Sequence, residues 1–188
     1  MDVPMRFPDD MKGLKRMAAV VLPKDFGAIV AYTGIGRNTV AAEGGSGSGF
    51  MTIQLARICK KVYSFESREE HYRVAKENID KLGLKNVVIA NKPMEGMSQK
   101  NLDFIFLDYK DSHVHIPVMH EKLKEGGWLV GYCPNIEQAK QFHLECQKLF
   151  RDVFTITTHD VNYAIRDFGC RPDNFALVHT AFLIFAKK

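Results

Sequence analysis

A run of glycines between an apolar strand and a helical segment constrains this fold more than any other feature of the sequence. The run, residues 43–49, reads EGGSGSG. The preceding residues NTVAAE (38–43) predict a short strand, and the following residues SGFMTIQLARIC (48–59) carry apolar residues at helical spacing. Because glycine lets the backbone turn sharply and approach a ligand closely, the pattern predicts a ligand-binding loop at the carboxyl end of a strand in an open α/β sheet.

The rest of the chain alternates between strand and helix patterns. Strands are predicted at 38–43, 61–66, 86–91, 102–108, 128–133, 153–165 and 180–188. Helices are predicted at 9–34 with a break at Pro23, and at 48–59, 67–82, 112–125 and 134–150. This alternation predicts a mostly parallel, seven-stranded, Rossmann-like α/β sheet with helices on both faces. The last two strands have no helix between them, so we expect an antiparallel pair at the sheet edge and an antiparallel terminal strand.

Composition sets limits on domain number, location and partners. With 188 residues, 46% of them apolar, the chain is expected to form one domain: a helical lead-in (1–35), a ligand-binding core (36–150) and a terminal strand pair (151–188). No segment has the roughly 18 apolar residues of a membrane span, and the first residues lack the apolar region of a signal peptide. Four cysteines without a CxxC pair predict buried free thiols and a cytoplasmic location. A net charge of +4 permits a nucleic-acid substrate without requiring one.

Two acidic residues refine the interpretation of the glycine loop. Glu43 directly precedes the glycines, and Glu66 ends the strand 61–66, where its two carboxylate oxygens can accept both hydroxyls of a ribose. The glycines lack the G-x-G-x-x-G spacing of a dinucleotide site, which disfavours an NAD oxidoreductase, and the loop has no Walker A lysine. The residues alone therefore predict a nucleoside site, with more than one nucleoside ligand still possible.

Asp108 ends the strand 102–108, at the same edge of the predicted sheet. Because the carboxyl ends of parallel strands meet at one edge, Asp108 is the leading candidate for contact with a second substrate. The alternative is a solvated turn residue.

Several segments resemble the tRNA adenine-N1 methyltransferases that modify the T-loop adenine at position 58. EGGSGSGFMT resembles the EAGTGSGxLT motif of that family, and IFLDYKDS resembles the segment that ends its fourth strand. WLVGYCPNIEQ and HTAFLIFAKK resemble its more specific fifth-strand and carboxyl-terminal segments. The resemblance covers about residues 16–188.

The resemblance implies a class I S-adenosylmethionine-dependent methyltransferase fold, S-adenosyl-L-methionine as cofactor and tRNA as substrate. The glycine loop would wrap the methionine end of the donor, Glu66 would hold the ribose, and residues 91–94 would approach the donor adenine. The donor-binding residues implied in this way are Glu43, Gly44, Gly45, Ser46, Gly47, Ser48, Gly49, Glu66, Ser67, Asn91, Met94 and Asp108. Family members assemble as homotetramers, so a homo-oligomer is expected, without any membrane association.

Asp108 is the residue for which the resemblance implies a catalytic role, contact with the target adenine. Methylation of N1 creates a cation that the adenine shares with its 6-amino group, and a fixed carboxylate that accepts a hydrogen bond from that group is favoured as the charge develops. The reaction needs no metal and no covalent intermediate. The target base must be flipped out of the folded tRNA, and Tyr109 or Tyr163 is a candidate to stack on it.

The sequence departs from the family pattern mainly on the acceptor side. Residues 91–94 read NKPM where many relatives have an aspartate, and residues 109–113 replace a proline-rich turn. His113 and His115 are expected to be solvated. Only about 15 residues precede the matched region, so the sequence is expected to correspond to the catalytic domain without the family's usual amino-terminal domain. Two alternatives stay open at this point: a methyltransferase for another acceptor, such as a small molecule, and a non-catalytic tRNA-binding homologue.

Overall fold

A central sheet with helices packed on both faces organises the computed structural model, which describes residues 6–174 and 176–188. The strands are β1 (Val40–Gly44), β2 (Lys61–Phe65), β3 (Val87–Ala90), β4 (Leu102–Leu107), β5 (Leu123–Cys133), β6 (Asp152–Ile156), β7 (Tyr163–Arg166), β8 (Gly169–Pro172) and β9 (Phe182–Lys187). The α-helices are α1 (Asp9–Lys12), α2 (Pro23–Thr33), α3 (Phe50–Ile58), α4 (Glu69–Lys81), α5 (Ile116–Lys122) and α6 (Ile136–Gln147), and short 3-10 helices cover Met94–Gly96 and Ser112–His115.

Seven of these strands form the main sheet, in the order β3-β2-β1-β4-β5-β9-β6. The neighbours from β3 to β5 are parallel, whereas β9 pairs antiparallel with both β5 and β6. The predicted mostly parallel seven-stranded sheet with an antiparallel strand is therefore confirmed. The strand order reverses between β1 and β4, so the carboxyl ends of β1, β2 and β4 surround the crevice in which such sheets bind ligands.

Alternate residues of the central strands build two separate parts of the core. Phe104 and Phe106 of β4 pack toward α2 and α3, whereas Ile105 and Leu107 pack toward α5 and α6. All four side chains are fully buried. A strand buried on both faces reads as a continuous apolar run, which is why 102–108 was predictable as a central strand.

The predicted strand 153–165 is wrong in its second half. β6 ends at Ile156, and residues 163–166 instead form β7, which pairs with β8 in a separate two-stranded ribbon. The chain leaves the sheet because Thr158 makes its hydrogen bonds with the side chains of Lys24 and Asp25 rather than with a neighbouring strand.

Two predicted helices are shorter than expected. Residues 13–22 are not helical, because Leu22 precedes a proline and is extended, and because the backbone N–H of Met17 donates to the hydroxyl of Ser48 instead of to a helical carbonyl. In the predicted helix 112–125, α5 ends at Lys122 and Leu123 already pairs with Leu102 of β4.

Three cysteines are buried free thiols as expected, but Cys170, on β8, is exposed. Among the residues that the structure describes, no helix is both long enough and apolar enough to span a membrane.

Candidate active site

The glycine loop leaves β1 at its carboxyl end with a backbone that suits only glycine. Gly45, Gly47 and Gly49 have φ angles of 86°, 55° and 82°, in the left-handed region that L side chains rarely adopt. At Gly45 the space is also missing, since a Cβ atom would lie 2.0 Å from the carbonyl oxygen of Asp108. The loop and the end of β4 are therefore in direct backbone contact.

Gly44 and Gly49 allow close packing around the loop. A Cβ atom on Gly44 would lie 2.6 Å from the sulfur of Met94 and 2.7 Å from Cε1 of Tyr109. A Cβ atom on Gly49 would lie 3.2 Å from the Cα atom of Ala75, on α4. Gly44 thus leaves room for side chains from the ends of β3 and β4, and Gly49 lets α4 approach the start of α3.

Glu66 directly follows β2 and is buried, with 3% of its surface exposed. Its Oε2 accepts the backbone N–H of Gly47 at 2.9 Å, and its Oε1 accepts the backbone N–H of Arg68 at 3.0 Å and the Arg68 side chain at 3.2 Å. Burial raises the pKa of this carboxyl, but the hydrogen bonds from Arg68 and Gly47 outweigh it and leave the pKa below its usual value. Glu66 is therefore an ionised acceptor at the loop.

Glu43 lies beneath the loop and is completely buried. Its Oε2 accepts hydrogen bonds from the hydroxyls of Thr52 and Ser64, while Oε1 has no partner among the described residues. Burial raises its pKa to about 7, against the lowering effect of those two hydroxyls. An unpartnered buried carboxylate oxygen is costly, so this atom points to a ligand or a water that donates to it.

Asp108 follows β4 and is half-buried. Its backbone N–H donates to the carbonyl of Gly44 at 2.9 Å, which fixes it beside the loop. Burial raises the pKa of its side chain to about 7, and the negative charges of Glu43 and Glu66 add to the effect. Three carboxyl groups thus surround the loop, an arrangement that attracts a cation and repels phosphate groups.

The first cavity, of about 460 Å³, opens between the ends of β1, β2, β3 and β4. Tyr109 lies in its wall, where its hydroxyl is 3.0 Å from Nδ1 of His115. The other lining residues are Gly45, Phe65, Glu66, Ser67, Arg68, Lys92, Pro93, Met94, Glu95, Asp108, Lys110, Asp111, Val114 and His115. His115, which was expected to be solvated, is partly exposed and also contacts Tyr109 in this wall.

A second cavity, of about 400 Å³, lies on the other side of Asp108. It shares Gly45, Arg68 and Asp108 with the first, so Asp108 stands where the two cavities meet. Its other lining residues are Ala18, Ala19, Val20, Leu22, Gly47, Tyr132, Pro134, Leu177, His179 and Thr180. Both cavities have the size of a small-ligand site.

The structure brings most of the predicted site residues together. Gly45, Glu66, Ser67, Met94 and Asp108 line the first cavity, and a small recess beside it is lined by Glu43, Ser46, Gly47 and Ser48. Gly44, Gly49 and Asn91 are not in these linings. Asn91 is exposed, and its amide donates to the carbonyl of Glu66 at 2.8 Å.

Several lining residues were missed by reasoning from the sequence. Tyr132 lies at the carboxyl end of β5, within the segment WLVGYCPNIEQ, and its place at the end of a parallel strand was a usable signal. Residues 18–22 carried no such signal, because their apolar composition resembled a helix. Tyr163, expected near the cleft, instead lies exposed on β7 and lines neither cavity.

The fold and site define a class of protein. The buried Glu43 oxygen, the glycine loop that a Cβ atom would fill and the carboxylate at the end of β2 fit a cationic nucleoside, and S-adenosylmethionine has both the positive charge and the ribose diol. The chain is an S-adenosylmethionine-dependent methyltransferase. The family model described as tRNA methyltransferase complex GCD14 subunit matches residues 12–172, and the chain belongs to that family.

Individual relatives are similar over most of the chain. The chain is 28% identical to the tRNA (adenine(57)-N(1)/adenine(58)-N(1))-methyltransferase TrmI of Methanocaldococcus jannaschii, over 95% of this chain and 75% of that protein. A solved SAM-dependent O-methyltransferase from Thermotoga maritima is 31% identical, with a TM-score of 0.87 over 92% of this chain and 67% of that one. The tRNA (m1A58) methyltransferase TrmI from Aquifex aeolicus, 24% identical, shares the fold with a TM-score of 0.89 over 95% of this chain and 74% of its own.

Proposed function

We propose that this methyltransferase transfers a methyl group to N1 of adenine 58 in tRNA. The observation that carries the proposal is the position of Asp108, whose half-buried carboxyl stands where the two cavities meet. The family and the M. jannaschii relative support tRNA as the substrate class. In this proposal the first cavity holds the donor and the second holds the acceptor base.

On the donor side, the chain binds and orients. Glu66 would accept hydrogen bonds from the ribose, the loop backbone from Gly45 to Gly49 would hold the methionine end, and Met94 would contact the donor adenine; all of these residues except Gly49 line the first cavity or the recess beside it. Glu43 lines the recess, and its unpartnered Oε1 is available to accept a hydrogen bond from the donor. The bound donor supplies an electrophilic methyl carbon on a positively charged sulfur.

On the acceptor side, the second cavity offers apolar walls for a flat aromatic base. Small and aliphatic side chains of residues 18–22 form one wall, and Tyr132 and Pro134 contribute to another. A base that enters must leave the stack of the folded tRNA. Asp108 then accepts a hydrogen bond from the 6-amino group as N1 acquires positive charge, which stabilises the transition state more than the ground state.

The raised pKa of Asp108 predicts a pH dependence. The carboxylate form accepts the hydrogen bond, and burial with two neighbouring carboxylates raises the pKa to about 7. At subsaturating donor concentration, kcat/KM should therefore fall as the pH decreases through about 7. A profile that is flat between pH 6 and 8 contradicts this role for the Asp108 carboxylate.

The proposal is tested by methylation of unmodified tRNA, with the modified nucleoside identified by mass spectrometry. A transcript with uridine in place of adenine 58 should not be methylated. Asp108→Asn keeps the shape but removes the charge, so kcat should fall by about 100- to 1000-fold, while calorimetry shows less than a tenfold loss of donor affinity. Asp152→Asn, an exposed change on β6, is the matched control. An unmethylated tRNA rejects the function, and full activity of Asp108→Asn removes Asp108 from the mechanism.

A second candidate is transfer to an oxygen atom of another acceptor. The T. maritima structure, 31% identical to this chain, is described as an O-methyltransferase. In that case total tRNA remains unmodified while an extract of small molecules accepts the labelled methyl group. The tRNA assay therefore separates the two candidates.

Assembly and location complete the proposal. A homo-oligomer, with a tetramer as the form expected from the family, would place the free edge of β6 within reach of another subunit. Light scattering on the purified protein gives the mass that tests this. A protein that modifies tRNA is expected in the cytoplasm.

A further inference from the structure

A buried ion pair behind the second cavity joins distant segments of the chain. Lys24 and Asp25 begin α2, and their side chains are 7% and 0% exposed, with Nζ 2.8 Å from Oδ1. The Lys24 ammonium also lies 3.0 Å from the carbonyl oxygen of Thr158, 2.8 Å from its hydroxyl and 2.7 Å from the hydroxyl of Thr180. Its three protons are therefore fully occupied by oxygen acceptors.

Asp25 extends the same network to the acceptor cavity. Its Oδ1 also accepts from the hydroxyl of Thr158, and its Oδ2 accepts from the phenol of Tyr132 at 3.1 Å. Burial and the Asp25 carboxylate raise the pKa of Tyr132, so the phenol keeps its proton and remains the donor. Tyr132 lines the second cavity, and its hydroxyl is thereby fixed from behind.

The residues that bond to the ion pair lie next to the segments that line the second cavity. Thr158 lies two residues after β6 and Thr180 two residues before β9, so together they mark the base of the segment 157–181, which carries β7 and β8 and is here called the arm. The returning part of the arm lines the second cavity, as do four of the residues 18–22, which are followed by Pro23 and Lys24 at the start of α2. Three walls of the cavity therefore meet at one pair of charges.

We propose that Lys24 and Asp25 are positioning residues for the acceptor cavity, which set Tyr132, the arm and residues 18–22 at the separation that the acceptor base requires. The inference rests on the proposed function, because it assigns the second cavity to the acceptor. A buried ion pair is weak evidence for stability alone, since well-packed apolar residues of similar volume often replace such pairs without loss. The pair instead supplies directed hydrogen bonds to the arm and to Tyr132, which apolar residues cannot supply, and residues 18–22 are joined to it through the chain.

The double variant Lys24→Met/Asp25→Leu separates positioning from stability. It removes both charges at once, so no unpaired charge stays buried and the fold is expected to persist. We expect the donor Kd to change less than threefold, the KM for tRNA to rise at least tenfold and kcat to fall less than the KM rises. The control Lys76→Gln/Asp80→Asn removes an exposed ion pair of α4 and should leave all three values unchanged.

Two single variants at Thr158 test the positioning role without changing the charges of Lys24 and Asp25. Thr158→Val removes one hydroxyl of the network at nearly constant volume, whereas Thr158→Ser retains it. We expect the KM for tRNA to rise about fivefold in Thr158→Val and to return to within twofold of wild type in Thr158→Ser. Equal KM values for the two variants and the wild type contradict the positioning role.

A measurement without tRNA distinguishes failure of this inference from failure of the proposed function. The chain has six tyrosines, so fluorine NMR of protein labelled with 3-fluorotyrosine gives few resonances, and Tyr132→Phe identifies that of Tyr132. In the Lys24→Met/Asp25→Leu variant the Tyr132 resonance should broaden or split while the others stay sharp. If the wild type does not methylate tRNA, the proposed function is rejected, and the Tyr132 resonance alone then tests whether Lys24 and Asp25 position Tyr132. An unchanged Tyr132 resonance, or broadening of all six, overturns the inference.

Discussion

The side of the cleft proposed for the donor is shaped largely by the main chain at the glycine loop, whereas the side proposed for the acceptor is shaped by side chains. Around the loop, glycines with positive φ bring backbone atoms of β1 and β4 into contact, and Gly45 leaves no space for a Cβ atom. The second cavity has walls from three segments that are far apart in sequence, and the Lys24–Asp25 pair connects them. The shape of the glycine loop is therefore set mainly by residues close together in sequence, whereas the shape of the second cavity depends on contacts between residues far apart in sequence.

This difference implies different tolerance to change. A surface formed by the main chain is damaged where an added side-chain atom has no space, as at Gly45, but is little affected by a distant substitution. A wall of side chains can be altered residue by residue, and the same fold can then accept another substrate. The two departures from the family pattern, at 91–94 and 109–113, do not fit the expectation that they lie mainly on the acceptor side. Most of their residues line the first cavity, which the proposal assigns to the donor, and none of them lines the second.

Gly45→Ala tests the donor side most severely. The added Cβ atom would lie 2.0 Å from the carbonyl oxygen of Asp108, at a φ of 86°, so the loop has to move. We expect donor affinity, measured by calorimetry, to fall at least 100-fold. Gly34→Ala is the control for backbone strain, because Gly34 has a φ of 67° with nothing within 4 Å. Gly34→Ala should cost about 1–2 kcal/mol of stability and leave donor affinity unchanged. Similar donor affinities in Gly45→Ala and Gly34→Ala would contradict the view that the loop backbone forms the donor site.

Glu43→Gln tests the electrostatic part of the donor side. Burial raises the pKa of Glu43 to about 7 from an ordinary 4.5. Its contribution to stability is therefore fully present below about pH 4.5 and is lost as the pH rises through about 7, a change of about 3 kcal/mol. In the variant, the free energy of unfolding should fall less between pH 4.5 and 8. Chemical denaturation at several pH values measures this slope, with the exposed Glu69→Gln as control, and an unchanged slope contradicts the buried titration.

The fold and the donor side were predictable because their signals are local. Apolar periodicity identified the seven strands of the main sheet, and Glu66 and Asp108 were found because acids directly follow buried strands. The non-helical path of 13–22 was not predictable, since it depends on Ser48 and Asn78, which lie 30 or more residues away. For the same reason the role of Thr158 could not be read from a continuous strand pattern.

Glu66→Gln measures the donor hydrogen bonds themselves. The carboxylate already accepts from Gly47 and Arg68, and its remaining lone pairs are those available to a ribose. Hydrogen bonds to a charged group contribute about 1.5–3 kcal/mol, so we expect donor affinity to fall by about 10- to 100-fold. The exposed Glu70→Gln on α4 is the control. A loss below threefold would show that the backbone cradle alone determines donor affinity.

Asn91→Ala should have the smallest effect on donor affinity, and it tests whether the donor site extends as far as Asn91. The Asn91 side chain is exposed and is absent from the cavity lining, and its amide donates to the carbonyl of Glu66 at 2.8 Å. It therefore supports the end of β2 rather than the donor, and loss of one such exposed bond contributes about 1 kcal/mol or less. We expect donor affinity to fall by no more than about fivefold.

Asn91→Asp sharpens the same point. A carboxylate cannot donate to the Glu66 carbonyl, and it places a negative charge against that carbonyl oxygen. If Asn91 acts only through that carbonyl, the aspartate variant should bind the donor no better than Asn91→Ala. If instead the side chain turns toward the donor adenine, Asn91→Asp should bind more tightly than wild type, because a carboxylate accepts from the adenine amino group more strongly than an amide does. Calorimetry of the two variants thus decides whether the Asn91 side chain contributes to donor binding beside the glycine loop and Glu66.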